Sequence, residues 1–184
     1  IFIAINLSEE AKTKLLAYQE RWPEIPARWV SRDNLHVTLA FLGNTEEGEL
    51  EELKKLMQDI GKRHTPFTLE FTNIVYGPAG ANASMIWAMI QKSKELAELQ
   101  KDVENALAQS EQIHYIPEKR EYSSHITLAR LREWEFRRID PEERPEVQEI
   151  VSIRCEVKSI EIMESKLKRT GAEYSIVDTI SLVR

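Results

Sequence analysis

HVTLA at residues 36–40 and HITLA at residues 125–129 are the same five-residue phrase, written twice in one chain. The chain has four histidines, and two of them stand in this phrase. On this composition, a second His-x-Thr-Leu-Ala would arise by chance roughly once in a thousand such chains. The repeat therefore predicts two equivalent strands in two similar halves.

Strand geometry decides which side chains of each copy act together. Residues i and i+2 of a strand point to the same face. His36 therefore shares a face with Thr38, and His125 with Thr127, while the apolar residues between them point to the core. The alternation also places the alanine that ends each copy, Ala40 or Ala129, on the polar face, where a methyl group leaves room for a ligand.

If the two strands lie side by side, two imidazoles and two hydroxyls converge on one cavity. Two histidines can serve as base and acid in one turnover near neutral pH. Hydroxyls beside them can hydrogen-bond the oxygens of a phosphate as its charge changes. One such motif alone is more often structural, but two copies in equivalent halves favour catalysis. The sequence has no His-Glu-x-x-His, cysteine cluster or Asp-rich loop, so we expect no metal and no cofactor.

The rest of the chain predicts an α+β fold. Period-two alternation marks strands, and apolar residues at helical spacing mark amphipathic helices. Strands are predicted at 1–7, 27–30, 36–43, 67–77, 84–90, 125–132, 154–165 and 172–183, with a turn at 168–171; helices are predicted at 8–22, 45–64 and 92–111. We expect one domain over 1–184, bilobal and pseudo-twofold, with two intertwined lobes that carry one motif each. Its two mostly antiparallel sheets have helices packed outside and a central cleft with both motifs.

Charge and composition limit the partners. The net charge of −6 argues against a non-specific nucleic-acid coat, although short or single-phosphate ligands remain possible. Basic residues near the two motifs in sequence could form a local rim that guides RNA, or could be ordinary solvated charge: Arg28, Arg32, Lys119, Arg120, Arg132, Arg137 and Arg138. No apolar stretch is long enough for a membrane helix, and the start lacks signal-peptide features. We expect a cytoplasmic monomer that does not contact membranes.

Several strings together resemble a known family. They are FIAI at the start, ARWVSRDNLHVTLAFLG at 27–43, IWAMI at 86–90, HITLARLR at 125–132 and MESKLKRTGAEYSIV at 163–177. The chain resembles the two-histidine (2H) phosphoesterase superfamily, and within it the RNA 2′,3′-cyclic phosphodiesterases, also called RNA 2′,5′-ligases. The resemblance spans almost the whole chain.

The resemblance implies a concrete reaction. Such enzymes hydrolyse the terminal 2′,3′-cyclic phosphate of RNA to a 2′-phosphate, and can join tRNA halves through a 2′,5′ linkage. By motif position, His36 would be the general acid that protonates the departing 3′ oxygen, and His125 the general base that activates water. Thr38 and Thr127 would hold the phosphate oxygens. The two histidine roles exchange when the reaction runs backwards. RNA 3′ ends with a cyclic phosphate, tRNA halves among them, would be the partners.

Arg130 completes the string HITLAR and is a candidate substrate ligand. Strict alternation puts it on the core side of its strand, so this role needs a β-bulge or a strand end. The alternative is a structural salt bridge. The chain departs from the family at two positions: many members have Lys or Arg at Ala40 and proline at Ser124. The first departure removes a possible phosphate contact.

Other functions remain open from the sequence. The same four groups could act on 2′,5′-linked oligonucleotides, on small cyclic nucleotides or on an ADP-ribose cyclic phosphate. A protein of another class, an RNA-end binder without catalysis, could use the motifs only to grip a phosphate. Binding without turnover would identify that class, although a pure binder needs no second titrating group.

Overall fold

Two antiparallel sheets and four α-helices make up the fold over the part of the chain that the computed structural model describes, residues 1–80, 83–169 and 171–183. The strands are β1 Phe2–Asn6, β2 Ala27–Trp29, β3 His36–Phe41, β4 Phe67–Gly77, β5 Met85–Ile90, β6 His125–Leu131, β7 Gln148–Val157, β8 Ser159–Lys168 and β9 Gly171–Ser181. The helices are α1 Glu9–Leu16, α2 Glu47–Gly61, α3 Lys94–Gln109 and α4 Glu133–Arg137, with 3₁₀ turns at Ala17–Arg21 and Arg32–Asn34.

Each sheet carries one of the repeated strands. The first sheet has the strand order β3-β1-β8-β9, and the second has the order β2-β6-β5-β4-β7. All pairs are antiparallel. The short strand β2 comes early in the chain but joins the second sheet, while the last two strands join the first. Strands β3 and β6 lie next to each other at the junction of the sheets. The predicted fold class is confirmed.

The long helices follow their apolar stripes. Ser93 accepts a hydrogen bond from the Leu96 amide and so caps α3. Helix α3 packs against β3, and α2 packs against β8 and β9. Each buried leucine on such a stripe stabilises the fold by about 1.5–3 kcal/mol relative to an exposed one. Among the described residues, no helix is both long and apolar enough to cross a membrane.

Two predicted elements differ from the structure. The helix predicted at 8–22 is an α-helix only to Leu16 and then tightens into a 3₁₀ turn, after which the Trp22 indole donates to the Glu146 carbonyl. The single strand predicted at 154–165 is two strands in different sheets. Every second residue from Val151 to Val157 is buried, whereas residues 160–163 are all buried, and the chain passes between the two sheets at Lys158.

The hairpin of β8 and β9 agrees with the prediction. The two strands pair from Ser159 opposite Ser181 to Lys168 opposite Gly171. The predicted turn at 168–171 therefore falls between them, although Thr170 lies outside the described residues.

Candidate active site

The two repeated histidines occupy matching positions at the starts of β3 and β6. Nδ1 of His36 lies 2.7 Å from the carbonyl oxygen of Asn34, and Nδ1 of His125 lies 2.7 Å from that of Ser123. Because a carbonyl can only accept, Nδ1 of each ring carries the donated hydrogen. Each Nε2 is thereby left for the cleft, as an acceptor in the neutral ring and a donor in the charged one. The local backbone sets the same tautomer in both copies.

The threonines of the two motifs face the same cleft as the histidines. Nε2 of His36 lies 3.1 Å from the hydroxyl oxygen of Thr38. Thr127 is half-buried beside His125, and its hydroxyl lies 3.8 Å from the sulfur of Met85. All four motif residues line one cleft of about 630 Å³. The four residues thus converge on one cleft, as predicted, while their catalytic roles stay predictions.

Each motif strand contains a β-bulge at the same place. Between the threonine and the alanine of the motif, the strand advances two residues while its neighbour advances one. Leu39 and Leu128 are the extra residues. The bulge reverses the alternation that follows it. The prediction that Ala129 lies on the polar face is therefore wrong, since this residue has an exposed fraction of 0% and does not line the cleft, whereas Ala40, at 6%, does line it.

The bulge in β6 turns Arg130 toward the cleft. Its side chain is exposed and lines the cleft, with Nη1 3.8 Å from the sulfur of Met85, the atom that Thr127 also approaches. The condition stated from the sequence, a bulge before this residue, is met. No ion pair among the described residues includes Arg130, so the alternative of a structural salt bridge finds no partner there.

Aromatic rings surround both imidazoles. The ring of Trp87 stacks on that of His125, with centroids 3.8 Å apart and planes at 20°. Tyr174 meets His36 edge-on at 5.2 Å, and Phe2 lies 4.9 Å from the same ring. Trp87 and Tyr174 form walls of the cleft and limit how the imidazoles can turn.

Burial and charge lower the pKa of both histidines. The largest cause for His36 is burial, opposed by the Asn34 carbonyl and assisted by the positive charge of Arg130 and by His125. For His125, burial lowers the pKa and the Ser123 carbonyl opposes it. Both rings therefore favour the neutral form in the free protein. A negative charge bound between them would favour protonation.

Tyr122 belongs to the site, although no motif or periodicity in the sequence predicts it as a site residue. It lies in the segment between α3 and β6, and its hydroxyl donates to the backbone carbonyl of Thr38 at 3.0 Å. Burial, with the charge of Glu104, raises its pKa, so the hydroxyl keeps its proton and remains a donor. The bond ties the segment that leads into the second motif to the strand of the first. Only the proximity of Tyr122 to His125 in the chain could have suggested it.

The basic rim expected from the sequence is smaller in the structure. Arg28, Arg120 and Arg130 line the cleft. Others are engaged elsewhere: Arg32 pairs with Glu9, Arg132 with Glu135 and Arg137 with Glu133, and Arg138 lies over the ring of Trp134. Among the residues that the structure describes, no group of three or more His, Cys, Asp or Glu side chains is arranged to hold a metal ion.

Known proteins with similar sequences include several bacterial and archaeal ones. A relative from Aquifex aeolicus named RNA 2′,3′-cyclic phosphodiesterase is 25% identical, over 86% of this chain and 84% of its own. One of the same name from Methanocaldococcus jannaschii is 24% identical, over 96% and 97%. The chain spans only 41% of the length of a Geobacillus stearothermophilus relative, also of that name, at 29% identity.

Solved structures and a family model complete the comparison. TT0787 of Thermus thermophilus has a TM-score of 0.84 at 25% identity, over 98% of this chain and 96% of its own. E. coli LigT, solved with 3′-AMP, has a TM-score of 0.74 at 24% identity, over 100% and 97%, and shares the fold. The model of the 2′-5′ RNA ligase superfamily matches residues 13–169. The resemblance seen in the sequence is confirmed, and the chain belongs to the 2′-5′ RNA ligase superfamily.

Proposed function

We propose that this protein is an RNA 2′,3′-cyclic phosphodiesterase that hydrolyses the terminal cyclic phosphate to a 2′-phosphate without a metal ion. The observation that carries the proposal is the matched pair of imidazoles, each with Nδ1 bonded to a backbone carbonyl, on the walls of one cleft. The relatives named RNA 2′,3′-cyclic phosphodiesterase support the same substrate.

The reaction follows from the two free nitrogens. Nε2 of His125 takes a proton from a water molecule while the oxygen of this water forms a bond to phosphorus. The bond between phosphorus and the 3′ oxygen breaks, and protonated His36 gives its proton to that oxygen. The products are a 3′-hydroxyl and a 2′-phosphate. His125 ends charged and His36 neutral, and proton exchange with solvent restores the starting state.

The threonines and Arg130 stabilise charge on the phosphate. The hydroxyls of Thr38 and Thr127 donate to its two non-bridging oxygens, where negative charge increases in the transition state. Arg130 lies beside Thr127 and offers a guanidinium to the same group or to the ribose. The bound phosphate offsets the effect of Arg130 on the pKa of His36, and this favours the protonated acid in the complex.

Ligation uses the same displacement with a different nucleophile. A 5′-hydroxyl from a second RNA end replaces water, gives its proton to His125 and forms a 2′,5′ linkage. In the reverse direction the two histidines exchange roles. The superfamily suggests tRNA halves as the RNA ends that are joined. We expect the protein to catalyse this reaction as a monomer in the cytoplasm.

A short RNA that ends in a 2′,3′-cyclic phosphate tests the proposal. The protein is incubated with it in the presence of a chelator, and the product is identified by mass and by phosphatase mapping. We expect the wild type to form a 2′-phosphate at the same rate with and without the chelator, and His36→Ala to form it about 10²–10⁴-fold more slowly. A 3′-phosphate would mean that the other oxygen leaves, and strong inhibition by the chelator would contradict the metal-free reaction.

The alternatives are distinguished in the same experiment. A 2′,5′-linked oligonucleotide and an ADP-ribose cyclic phosphate are offered in parallel. Turnover of one of these with the RNA untouched would move the assignment to that substrate. Tight binding of the RNA end without any product would identify the non-catalytic binder and overturn the proposal.

A further inference from the structure

Two arginines stand directly opposite each other in the wall of the cleft. Arg28 in β2 pairs in register with Arg130 in β6, and both side chains are exposed and line the cleft. Like charges directly opposite on neighbouring strands are destabilising. No ion pair among the described residues includes either arginine. The pair is therefore a local excess of positive charge that a bound anion would relieve.

The position of the two arginines places the site for this anion beside the site of the reacting phosphate. Arg130 lies next to Thr127, since both approach the sulfur of Met85. Arg28 lies one strand further from the histidines, on the edge strand of the second sheet. Cross-strand neighbours have Cβ atoms about 5 Å apart, so the two guanidinium groups can hold adjacent groups of one ligand.

The end of the other sheet approaches Arg28 from across the cleft. A Cβ atom added at Gly171, the first residue of β9, would lie 3.6 Å from Nη1 of Arg28. Asn34 donates to the carbonyl of the next residue, Ala172, at 2.8 Å. The exposed side chain of Arg28 therefore reaches toward the end of the other sheet and faces the cleft between the two sheets.

The carboxylates of the cleft lie elsewhere. Glu104 is on α3, and Glu118 and Glu121 are on the segment after it. Glu104 also accepts a hydrogen bond from the hydroxyl of Tyr115. The cleft thus has a cationic wall at β2 and β6, although the whole chain carries a net charge of −6.

We propose that Arg28 binds the phosphate on the 5′ side of the terminal nucleotide, while the neighbouring Arg130 stays with the reacting cyclic phosphate. This inference rests on the proposed function, since it assigns a second phosphate of the same substrate. The planar guanidinium suits bidentate contact with a phosphate. The protein then prefers an RNA end, or a nucleotide with a 5′-phosphate, to a nucleoside 2′,3′-cyclic phosphate that lacks one.

Three substrates test this inference with wild type and Arg28→Gln. They are a nucleoside 2′,3′-cyclic phosphate, the same compound with a 5′-phosphate, and a dinucleotide that ends in the cyclic phosphate. The wild type should favour the two that carry a 5′-side phosphate, and Arg28→Gln should lower that preference by about tenfold or more, as expected for a lost charge-assisted bond. For the dinucleotide, the slope of log kcat/KM against log salt should become shallower by about 0.7.

Arg32→Gln is the matched control. It removes the same charge, but Arg32 pairs with Glu9 and does not line the cleft, so the preference should stay as in wild type. An Arg28→Gln variant that keeps the preference, or that slows all three substrates equally, overturns the inference. If the wild type hydrolyses none of the three, the proposed function has failed instead. A preference for the dinucleotide alone would restrict the site to phosphodiesters.

Discussion

Gly77 in β4 leaves the space that the indole of Trp87 occupies on β5. A Cβ atom at residue 77 would lie 2.1 Å from Cδ2 of Trp87, 2.4 Å from Cε3 and 2.5 Å from Cε2. Non-bonded carbon atoms prefer about 3.5–4.0 Å, so Gly77→Ala must move the indole by roughly 1 Å or more. Strand β5 lies between β4 and β6, and the far strand carries His125, which stacks on the indole at 3.8 Å. A displaced Trp87 indole therefore also displaces the ring of His125, a candidate catalytic residue.

The magnitude follows from this displacement. A misplacement of about 1 Å at a reacting group can cost on the order of 100-fold in rate. Overpacking of this kind destabilises a fold by about 1–3 kcal/mol. We expect Gly77→Ala to lower kcat on a 2′,3′-cyclic phosphate by about 100-fold, with the fold retained. NMR signals of the His125 ring should shift, which reports the displacement without reference to activity.

Gly48→Ala is the control, because it adds the same methyl group in the first turn of α2 and meets nothing within 4 Å. It should leave both kcat and the His125 signals as in wild type. The reasoning is refuted if Gly77→Ala keeps its His125 signals and turns over within about twofold of wild type. Shifted His125 signals with normal turnover would instead show that the rate does not depend on the exact position of the His125 ring.

Three further predictions concern the site itself. His36→Ala and His125→Ala should each lower turnover by about 10²–10⁴-fold while the circular dichroism spectrum stays native, and a rate close to wild type in either would remove that histidine from the mechanism. Arg130→Gln should raise the pKa of His36, because a positive charge that opposes protonation is gone; titration by NMR measures this, and an unchanged or lower pKa contradicts it. Tyr122→Phe keeps the ring but removes the hydrogen bond to the Thr38 carbonyl, which should cost about 0.5–1.5 kcal/mol in the free energy of unfolding measured with urea; an unchanged value would mean that water replaces the hydroxyl.

Much of the fold was predictable where local pattern and burial agree. Leu96, Leu99, Val103 and Leu107 recur at helical spacing after the capping Ser93, and all four are buried in α3. The pattern failed between β7 and β8. There two polar residues in a row, Lys158 and Ser159, interrupt the alternation. The prediction took the run as one strand, whereas it is two strands in different sheets. Which sheet a strand joins depends on its partners, and alternation does not encode them.

The four central residues of the site followed from the sequence, and its walls did not. The period of two along a strand is local, so it correctly puts His36 with Thr38 and His125 with Thr127. The same rule misplaced Ala129, because the bulge in β6 is set by how this strand pairs with its neighbour. A cross-strand register is a non-local property and leaves no mark on the periodicity of one strand.

The sequence by itself determined the repeated motif, the family and the chemical groups offered to a phosphate. Only the tertiary structure decided that Arg130 faces the cleft, that Arg28 stands opposite it, and that Trp87 and Tyr122 hold the two motifs in position. The physical reason is the distance along the chain between interacting residues. Strand alternation and helix spacing relate residues only a few positions apart, whereas these contacts join distant segments that meet only in the folded protein.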